Sequence, residues 1–220
     1  MGTYVITIAR GFGSGGKYIG QRLSEELGIP CYEKEILTMA SDKSGINEDI
    51  FARTDEKLRG TLLINQLKHI PREKALTPED RDFKSDSNLF AIQSEIIRTL
   101  ADTESCIIIG KCADYVLRDY KNVLTVYIDA PRHACVKSIT KRMNVSVREA
   151  NRLIDRTDKY RADYYKCYTR GRDWVNPTNY HMFLNSAKFG REKCVEIIKT
   201  VALMTVAKGI PVNPVHTATK

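Results

Sequence analysis

Seven residues near the N-terminus, Gly11 to Lys17, have the spacing G-x-x-x-x-G-K that is typical of a phosphate-binding loop. Glycine has no Cβ and takes positive φ freely, so such a loop can wrap its backbone amides around an anion. The ammonium group of Lys17 suits the β- and γ-phosphates of a nucleotide. We therefore predict that the nucleotide contacts Gly11, Gly13, Ser14, Gly15, Gly16, Lys17 and Tyr18.

The residues on either side of this loop predict a strand before it and a helix after it. Residues 4–9 are a β-branched, apolar run of strand length, and Ile19, Leu23 and Leu27 recur at every fourth position. The alternative is a glycine turn with a structural role only. The strand–loop–helix context favours phosphate binding, because the N-terminus of a helix also attracts anions.

The residue after Lys17 departs from the usual motif, in which Ser or Thr ligates Mg²⁺. Tyr18 stands there, and the hydroxyl of Ser14 lies at a different position. We therefore expect carboxylates and water to contribute more of the binding of Mg²⁺. The sequence leaves the metal ligands open.

Composition predicts a soluble globular protein with an anionic partner. The 220 residues suit one α/β domain with a small insertion. The net charge of +8 indicates phosphates or nucleic acid as the partner, with an ordinary basic surface as the alternative. Nucleic acid is disfavoured, because no module of interleaved aromatic and basic residues accompanies the charge.

Cysteine and histidine spacing indicates neither a disulfide framework nor a zinc site. The six cysteines form no C-x-x-C pair, and free thiols suit a reducing compartment. No signal peptide and no apolar run of membrane-spanning length is visible. We predict a cytoplasmic protein without membrane contact, and its oligomeric state is left open.

Strand and helix patterns alternate along the chain. We predict strands over residues 4–9, 29–32, 105–110, 123–128 and 178–185, helices over 18–27, 35–68 with a break at 41–45, 88–102, 132–168 and 192–207, and a helix followed by a turn over 113–122. This order predicts an α/β fold, a five-stranded parallel sheet with helices on both faces. Ligands of such sheets bind at the carboxyl ends of the strands, where Glu33, Lys111 and Asp129 stand with the loop.

A run of basic residues lies in the long helical region after residue 132. It contains Arg142, Arg148, Arg152, Arg156, Lys159 and Arg161. Charge runs are usually solvated helix faces, stabilised by pairs such as Asp158 with Arg161. Beside a phosphate loop, however, at least two of these arginines are expected to clamp phosphate, because the guanidinium fork holds it bidentately.

Several segments together resemble the cytidylate kinase-like family of P-loop nucleoside monophosphate kinases. They are Ile6-Thr7-Ile8 running into Gly13-Ser14-Gly15-Gly16, the stretch from Gly28 to Glu35, the stretch Ile109-Gly110-Lys111-Cys112-Ala113-Asp114, and the stretch from Asp158 to Tyr165. The resemblance spans most of the chain but not residues 69–88 or the C-terminal tail.

The resemblance implies transfer of the γ-phosphoryl group of ATP, with Mg²⁺, to a nucleoside monophosphate, CMP or dCMP first. Lys17, Arg156 and Arg161 are then the expected catalytic residues, and Glu33, Lys111, Asp158 and Arg161 the expected acceptor-binding residues. At position 111 the family usually has an arginine that grips the acceptor phosphate. Lysine keeps the charge without the bidentate fork.

The implied organisation is a single P-loop kinase domain over residues 1–208 and a tail over 209–220. Within the domain we expect an acceptor-binding helical insertion at about 35–104 and a lid at about 132–162. The polar segment 69–88 contains two prolines and is either a second lid or disordered.

Two other functions stay open from the sequence. One is a P-loop kinase for another small acceptor, such as a metabolite alcohol or a coenzyme precursor. The other is a nucleotide-binding protein without turnover, which Tyr18 and Lys111 motivate.

Overall fold

The computed structural model of the protein describes residues 2–57, 75–76, 82 and 84–208. Its strands are β1 (Val5–Arg10), β2 (Cys31–Tyr32), β3 (Cys106–Ile109), β4 (Val123–Asp129) and β5 (Met182–Asn185). Its helices are α1 (Gly16–Leu27), α2 (Glu35–Ser44), α3 (Glu48–Lys57), α4 (Asp86–Thr103), α5 (Ala113–Val116), α6 (Arg132–Met143), α7 (Val147–Tyr168), α8 (Ser186–Phe189) and α9 (Arg191–Met204).

The five strands form one parallel sheet in the order β2-β3-β1-β4-β5. β1 lies at the centre because its run of apolar residues is buried on both faces, as expected for a strand covered by helices on each side. The loop that follows β1 therefore lies between the carboxyl ends of β3 and β4. The predicted five-stranded parallel sheet is confirmed.

Alternate residues of the strands face two separate apolar clusters. Ile6 and Ile8 of β1 pack with Leu23 of α1 and Ile198 of α9. On the opposite face, Val5 belongs to a larger cluster that α2, α4 and the C-terminal half of α7 complete. The helices thus cover both faces, as predicted.

α6 and α7 form a helical hairpin with a small apolar cluster of its own. Cys135 and Ile139 of α6 meet Ala150 and Ile154 of α7, and Phe12 of the loop packs against them. The predicted single helical region over 132–168 is wrong at this point. Asn144 takes left-handed φ and ends α6, after which Ser146 caps α7 by accepting a hydrogen bond from Glu149 N.

Several predicted elements are shorter than their sequence patterns. The strand predicted over 178–185 begins only at Met182, because Pro177–Asn179 forms a 3₁₀ turn in which the side chain of Asn176 accepts from Thr178 N. Within the helix and turn predicted over 113–122, the helix ends at Val116 and turn residues follow it. In the region 35–57, the predicted break falls at left-handed Gly45, and Asn47 Oδ1 caps the start of α3 by accepting from Asp49 N.

The remaining predictions lie partly or wholly outside the described residues. Residues 58–68 of the second predicted helix and the tail 209–220 are outside them, as is most of segment 69–88. Where that segment is described, the amides of Ala75 and Leu76 donate to Glu95 Oε1 and Asn88 Oδ1 of α4, and α4 already begins at Asp86. Within the described part of the chain, no helix has both the length and the apolar character needed to span a bilayer.

Candidate active site

The loop between β1 and α1 has the backbone geometry that its glycines predict. Gly13 and Gly15 have φ of 96° and 89°, and α1 begins at Gly16. The space around both glycines is also narrow. A Cβ on Gly13 would lie 2.9 Å from the carbonyl oxygen of Cys135, and one on Gly15 would lie 2.6 Å from Arg191 Nε. Positive φ favours glycine at both positions, and at Gly13 the backbone of Cys135 also leaves no room for a side chain.

Ser14 lies inside the loop rather than on its open side. Its side chain is buried, and both its amide and its hydroxyl donate to the carbonyl oxygen of Gly11, the hydroxyl at 2.8 Å. Its own carbonyl oxygen accepts from the Ser186 hydroxyl at 2.5 Å. Ser14 therefore stabilises the loop, and its predicted contact with nucleotide has no support from the direction of its hydroxyl.

A strongly cationic cavity of about 750 Å³ opens over the loop. Of the described residues that line it, six are cationic and one is acidic. The cations are Arg10, Lys17, Lys141, Arg142, Arg161 and Arg191, and the acid is Glu33. Such a surplus of positive charge around a cradle of glycines suits a polyphosphate. We call this space the donor cavity.

Tyr18 lines the edge of the donor cavity but turns its hydroxyl outward. The hydroxyl donates to Glu192 Oε1 at 2.5 Å, and the guanidinium of Arg191 lies 5.6 Å from the ring centroid. The phenol is thereby held on α9. It does not replace the Ser or Thr hydroxyl that the usual loop provides to a metal ion.

Glu33 holds two cations at the inner end of the donor cavity. Its Oε1 accepts from Arg10 Nη2 at 2.5 Å, and its Oε2 lies 2.8 Å from Lys17 Nζ. Burial alone would raise the pKa of Glu33, but the charges of Arg10 and Lys17 outweigh burial and lower it. Glu33 thus stays ionised, while the Lys17 side chain is 54 % exposed and accessible to a ligand.

α7 contacts the loop through Asp158 and Arg161. Asp158 Oδ1 accepts from Phe12 N at 2.7 Å, and Arg161 Nη1 donates to the carbonyl oxygen of Arg10 at 2.8 Å. Burial first and the positive charge of Arg10 second lower the pKa of Arg161 to about 9, and a pKa of that size still leaves the guanidinium cationic at neutral pH. Asp158 and Arg161, predicted as site residues, are therefore brought to the loop.

Arg156 is the predicted catalytic residue that the structure leaves apart from the others. It is exposed on α7 and does not line the donor cavity. Of the other predicted clamp arginines, Arg142 lines the donor cavity, with its guanidinium 5.5 Å from the ring centroid of Phe12. The catalytic role of Arg156 remains a prediction.

A second cavity of about 530 Å³ adjoins the first at the carboxyl ends of β1 and β3. Arg10, Glu33 and Arg161 line both cavities. Lys111 lines the second one, in a turn where Gly110, Lys111 and Cys112 all have positive φ. Such backbone strain costs about 1–3 kcal/mol per non-glycine residue and is concentrated at functional sites. We call this space the acceptor cavity.

The far wall of the acceptor cavity is aromatic and contains one buried acid. The aromatic residues are Tyr160, Tyr164, Tyr165 and Trp174. Asp114 is 8 % exposed, and its Oδ2 accepts from the Tyr165 hydroxyl at 2.7 Å. Burial raises the pKa of Asp114 to about 6, although the hydrogen bond from Tyr165 opposes that rise.

Arg10, Arg191 and Asp114 are among the site residues that were not found from the sequence. Arg10 immediately precedes the loop motif, Arg191 comes from the N-terminus of the distant α9, and Asp114 lies four residues after a predicted strand end. For Asp114 a signal existed, since polar residues after a buried parallel strand face the ligand edge. Arg10 and Arg191 offered none, because isolated arginines are mostly surface residues.

This protein has a P-loop kinase fold. The fold is defined by the central glycine loop, the parallel sheet in the order β2-β3-β1-β4-β5 and the two adjoining cavities. Residues 5–188 match the cytidylate kinase-like family, and the chain belongs to that family. The family that the sequence motifs resemble is thereby confirmed. Membership supports phosphoryl transfer, with use of ATP and typically of Mg²⁺.

Solved structures show the same fold at low identity. An uncharacterized protein from Eubacterium ventriosum is 23 % identical with a TM-score of 0.66, over 91 % of this chain and 98 % of that one. A sugar kinase from Janibacter sp. is 17 % identical with a TM-score of 0.50, over 93 % and 97 %. None of the curated proteins matches the sequence.

Proposed function

We propose that this protein transfers the γ-phosphoryl group of ATP to a nucleoside monophosphate, with CMP or dCMP as the first acceptors to test. The observation that carries the proposal is the pairing of a cationic cavity over the glycine loop with an adjoining cavity that combines cations and aromatic side chains. A nucleoside monophosphate has the matching chemistry, an anionic phosphate at one end and a flat base at the other.

In the proposed complex, the loop amides and Lys17 bind the β- and γ-phosphates of ATP, and Arg161 neutralises charge on the transferring group. Lys111 binds the acceptor phosphate at the cationic end of the acceptor cavity. The base then lies toward Tyr160, Tyr164 and Trp174.

The carboxylates beside the loop fit Mg²⁺. A Cβ on Gly11 would lie 2.7 Å from Asp129 Oδ1, and burial raises the pKa of both Asp129 and Asp158, with Asp129 raising that of Asp158 further by like charge. Two carboxylates that repel each other suit a hard divalent cation, with water and phosphate oxygens as its other ligands. Asp129 and Asp158 would therefore hold Mg²⁺, which neutralises phosphate charge when bound.

A lid over residues 132–162 would exclude water and give Arg156 access to the phosphates. The apolar cluster between α6 and α7 supports movement of this hairpin as a unit. Its predicted boundary at residue 162 falls inside α7, whose later residues Tyr164, Tyr165 and Tyr168 pack in the main core. Closure would therefore have to bend α7 near residue 162 and break the hydrogen bonds that Asp158 and Arg161 make with the loop, or bend α7 before Asp158.

One observation favours a second candidate, a kinase for a small alcohol. Glu33 is a carboxylate that lines both cavities, where an acceptor hydroxyl would need a base to take its proton. A phosphate acceptor needs no such base, because its attacking oxygen is already deprotonated. In this alternative Glu33 is the base rather than only an acceptor-binding residue.

A coupled assay for ADP production tests these functions on purified protein. The acceptors are CMP, dCMP, UMP, AMP and GMP in one panel and simple sugars and other small alcohols in another. We expect turnover with at least one pyrimidine monophosphate and none with Lys17→Ala, while the exposed variant Lys193→Ala serves as the matched control. Turnover with alcohols alone would support the second candidate. ATP binding without acceptor-dependent ADP would indicate a binding protein and overturn both.

A further inference from the structure

Arg10 stands where the two cavities meet. It lines both of them, together with Glu33 and Arg161. A phosphoryl group that leaves a donor in one cavity for an acceptor in the other must cross this junction. The groups that line both cavities are therefore those within reach of the group in transit.

Two glycines clear the space that the Arg10 side chain occupies. A Cβ on Gly16 of the loop would lie 2.5 Å from Arg10 Cβ, and a Cβ on Gly110, after β3, would overlap Arg10 Nη1. The first glycine belongs to the donor side and the second to the acceptor side. The local backbone is thus shaped around a guanidinium that is 15 % exposed.

Among the residues that the structure describes, the partner that anchors the guanidinium of Arg10 is Glu33. Nη2 donates to Glu33 Oε1, while Nη1 lies against Gly110 at the acceptor cavity. Glu33 is in turn shared with Lys17. Since a guanidinium carries five N–H donors in a rigid fork, anchoring one nitrogen orients the others without using them.

The junction has a surplus of positive charge. The side chains of Arg10 and Arg161 are both largely buried there. The compensating carboxylates are Glu33, shared by Arg10 and Lys17, and Asp158, which lies 3.4 Å from Arg161 Nη1. Three cations thus face two carboxylates, which favours an additional anion at this point.

We propose that Arg10 is a catalytic residue of the transfer, whose free N–H donors bind the oxygens of the phosphoryl group as it crosses from donor to acceptor. This proposal rests on the proposed function. An acceptor phosphate oxygen, already deprotonated, forms the new bond to the γ-phosphorus. The bond from that phosphorus to the β,γ-bridging oxygen breaks, and its electron pair remains on ADP, so no proton has to move. Glu33 is the positioning residue that orients Arg10.

Steady-state kinetics of Arg10→Gln and Arg10→Lys test the proposal, with Arg22→Gln as the control, since Arg22 of α1 is half-buried and lines neither cavity. We expect Arg10→Gln to lower kcat by about 10²–10³-fold, the usual effect of removing one transition-state donor, with KM for ATP little changed. Arg10→Lys should recover part of kcat, because it keeps the charge without the fork. A kcat of Arg10→Gln near that of the wild type, or a loss confined to the acceptor KM, would overturn the proposal.

Binding of ADP with and without aluminium fluoride, a planar mimic of the group in transit, separates this proposal from the choice of acceptor. Calorimetry in the presence of Mg²⁺ should show tighter ADP binding with aluminium fluoride for the wild type, and no such gain for Arg10→Gln. A wild type that binds ADP but gains nothing from aluminium fluoride contradicts the role of Arg10. Failure of every acceptor in the turnover panel, with the gain intact, contradicts only the proposed function.

Loss of Arg10 leaves Glu33 without one of its two cationic partners, so the single variant is also tested for folding by circular dichroism. If it does not fold, the double variant Arg10→Gln with Glu33→Gln removes the uncompensated charge. The double variant should again bind ADP without a gain from aluminium fluoride. A gain equal to that of the wild type would overturn the proposal.

Discussion

Asp158 Oδ1 accepts a 2.7 Å hydrogen bond from the backbone amide of Phe12, so α7 holds the phosphate loop directly. The two residues are 146 positions apart in the chain. The contact joins the predicted lid to the loop and ties their conformations together.

Removing this contact should destabilise the loop. Asp158→Ala leaves the part-buried Phe12 amide without its acceptor, which costs about 1–3 kcal/mol, whereas Asp158→Asn can still accept through its amide oxygen. We expect Asp158→Ala to lower the free energy of unfolding and raise KM for ATP, with Asp158→Asn closer to the wild type in stability. Urea unfolding and kinetics measure the two effects, and equal stability of the two variants would show that the hydrogen bond contributes little.

Lys17→Ala should abolish transfer while the fold persists. The Lys17 side chain is 54 % exposed and contacts Glu33, so its loss removes one ion pair from the surface of the cavity. We expect kcat to fall by at least about 10²-fold, as for loss of one electrostatic donor, with an unchanged circular dichroism spectrum. A variant with near-normal rates would mean that the loop does not bind the transferred phosphate.

Gly110→Ala should lower the free energy of unfolding more than Gly45→Ala does, although both glycines have positive φ. Their φ values are 75° and 70°, and a Cβ on Gly45 meets nothing within 4 Å, while one on Gly110 overlaps Arg10. Conformational strain alone is about 1–2 kcal/mol in each case. We expect Gly45→Ala to lose about that much stability and keep turnover, and Gly110→Ala to lose more and to lower kcat. Indistinguishable variants would show that Arg10 is free to move aside.

The buried Asp114 carboxyl predicts a specific pH dependence of stability. Its pKa is raised from 3.8 to about 6 in the folded protein, so the folded state holds this proton more tightly than the unfolded state. The contribution to stability is complete below about pH 4 and is lost as pH rises through about 6.

Asp114→Asn cannot ionise, and its stability relative to the wild type should therefore increase between pH 4 and pH 7. The pKa is raised from 3.8 to about 6, and one pKa unit corresponds to about 1.4 kcal/mol, so the difference in free energy of unfolding between the two proteins should change by about 3 kcal/mol. Urea unfolding of both proteins at several pH values measures the difference, and Tyr165→Phe is the control for the hydrogen bond alone. A difference independent of pH would contradict the raised pKa.

Lys111→Arg should tighten acceptor binding, because a guanidinium grips phosphate with two parallel hydrogen bonds and an ammonium does not. Lys111 lines the acceptor cavity with left-handed φ of 58°, which arginine has to adopt at similar cost. We expect a lower KM for the acceptor monophosphate and an unchanged KM for ATP in the coupled assay. An unaltered acceptor KM would count against a contact between Lys111 and the acceptor phosphate.

The elements of this fold were predictable where their signals are local. The glycine loop, the buried strand β1 and the stripe of α1 depend on residues next to one another, and the order of strands and helices then dictates a parallel sheet. The predictions that were wrong concern where strands and helices begin and end. Residues 177–179 turn and Asn144 interrupts a helix because side-chain caps and single left-handed residues prevail over the periodic pattern.

What the sequence by itself determined is the presence of a phosphate loop between a strand and a helix, together with the parallel sheet around it. Only the tertiary structure decided which charges meet there. Glu33 reaches both Arg10 and Lys17, Asp158 reaches Phe12, and Asp114 is buried against Tyr165. The physical reason is that backbone conformation follows from neighbouring residues, whereas ion pairs and buried acids depend on which distant segments pack within a few ångströms.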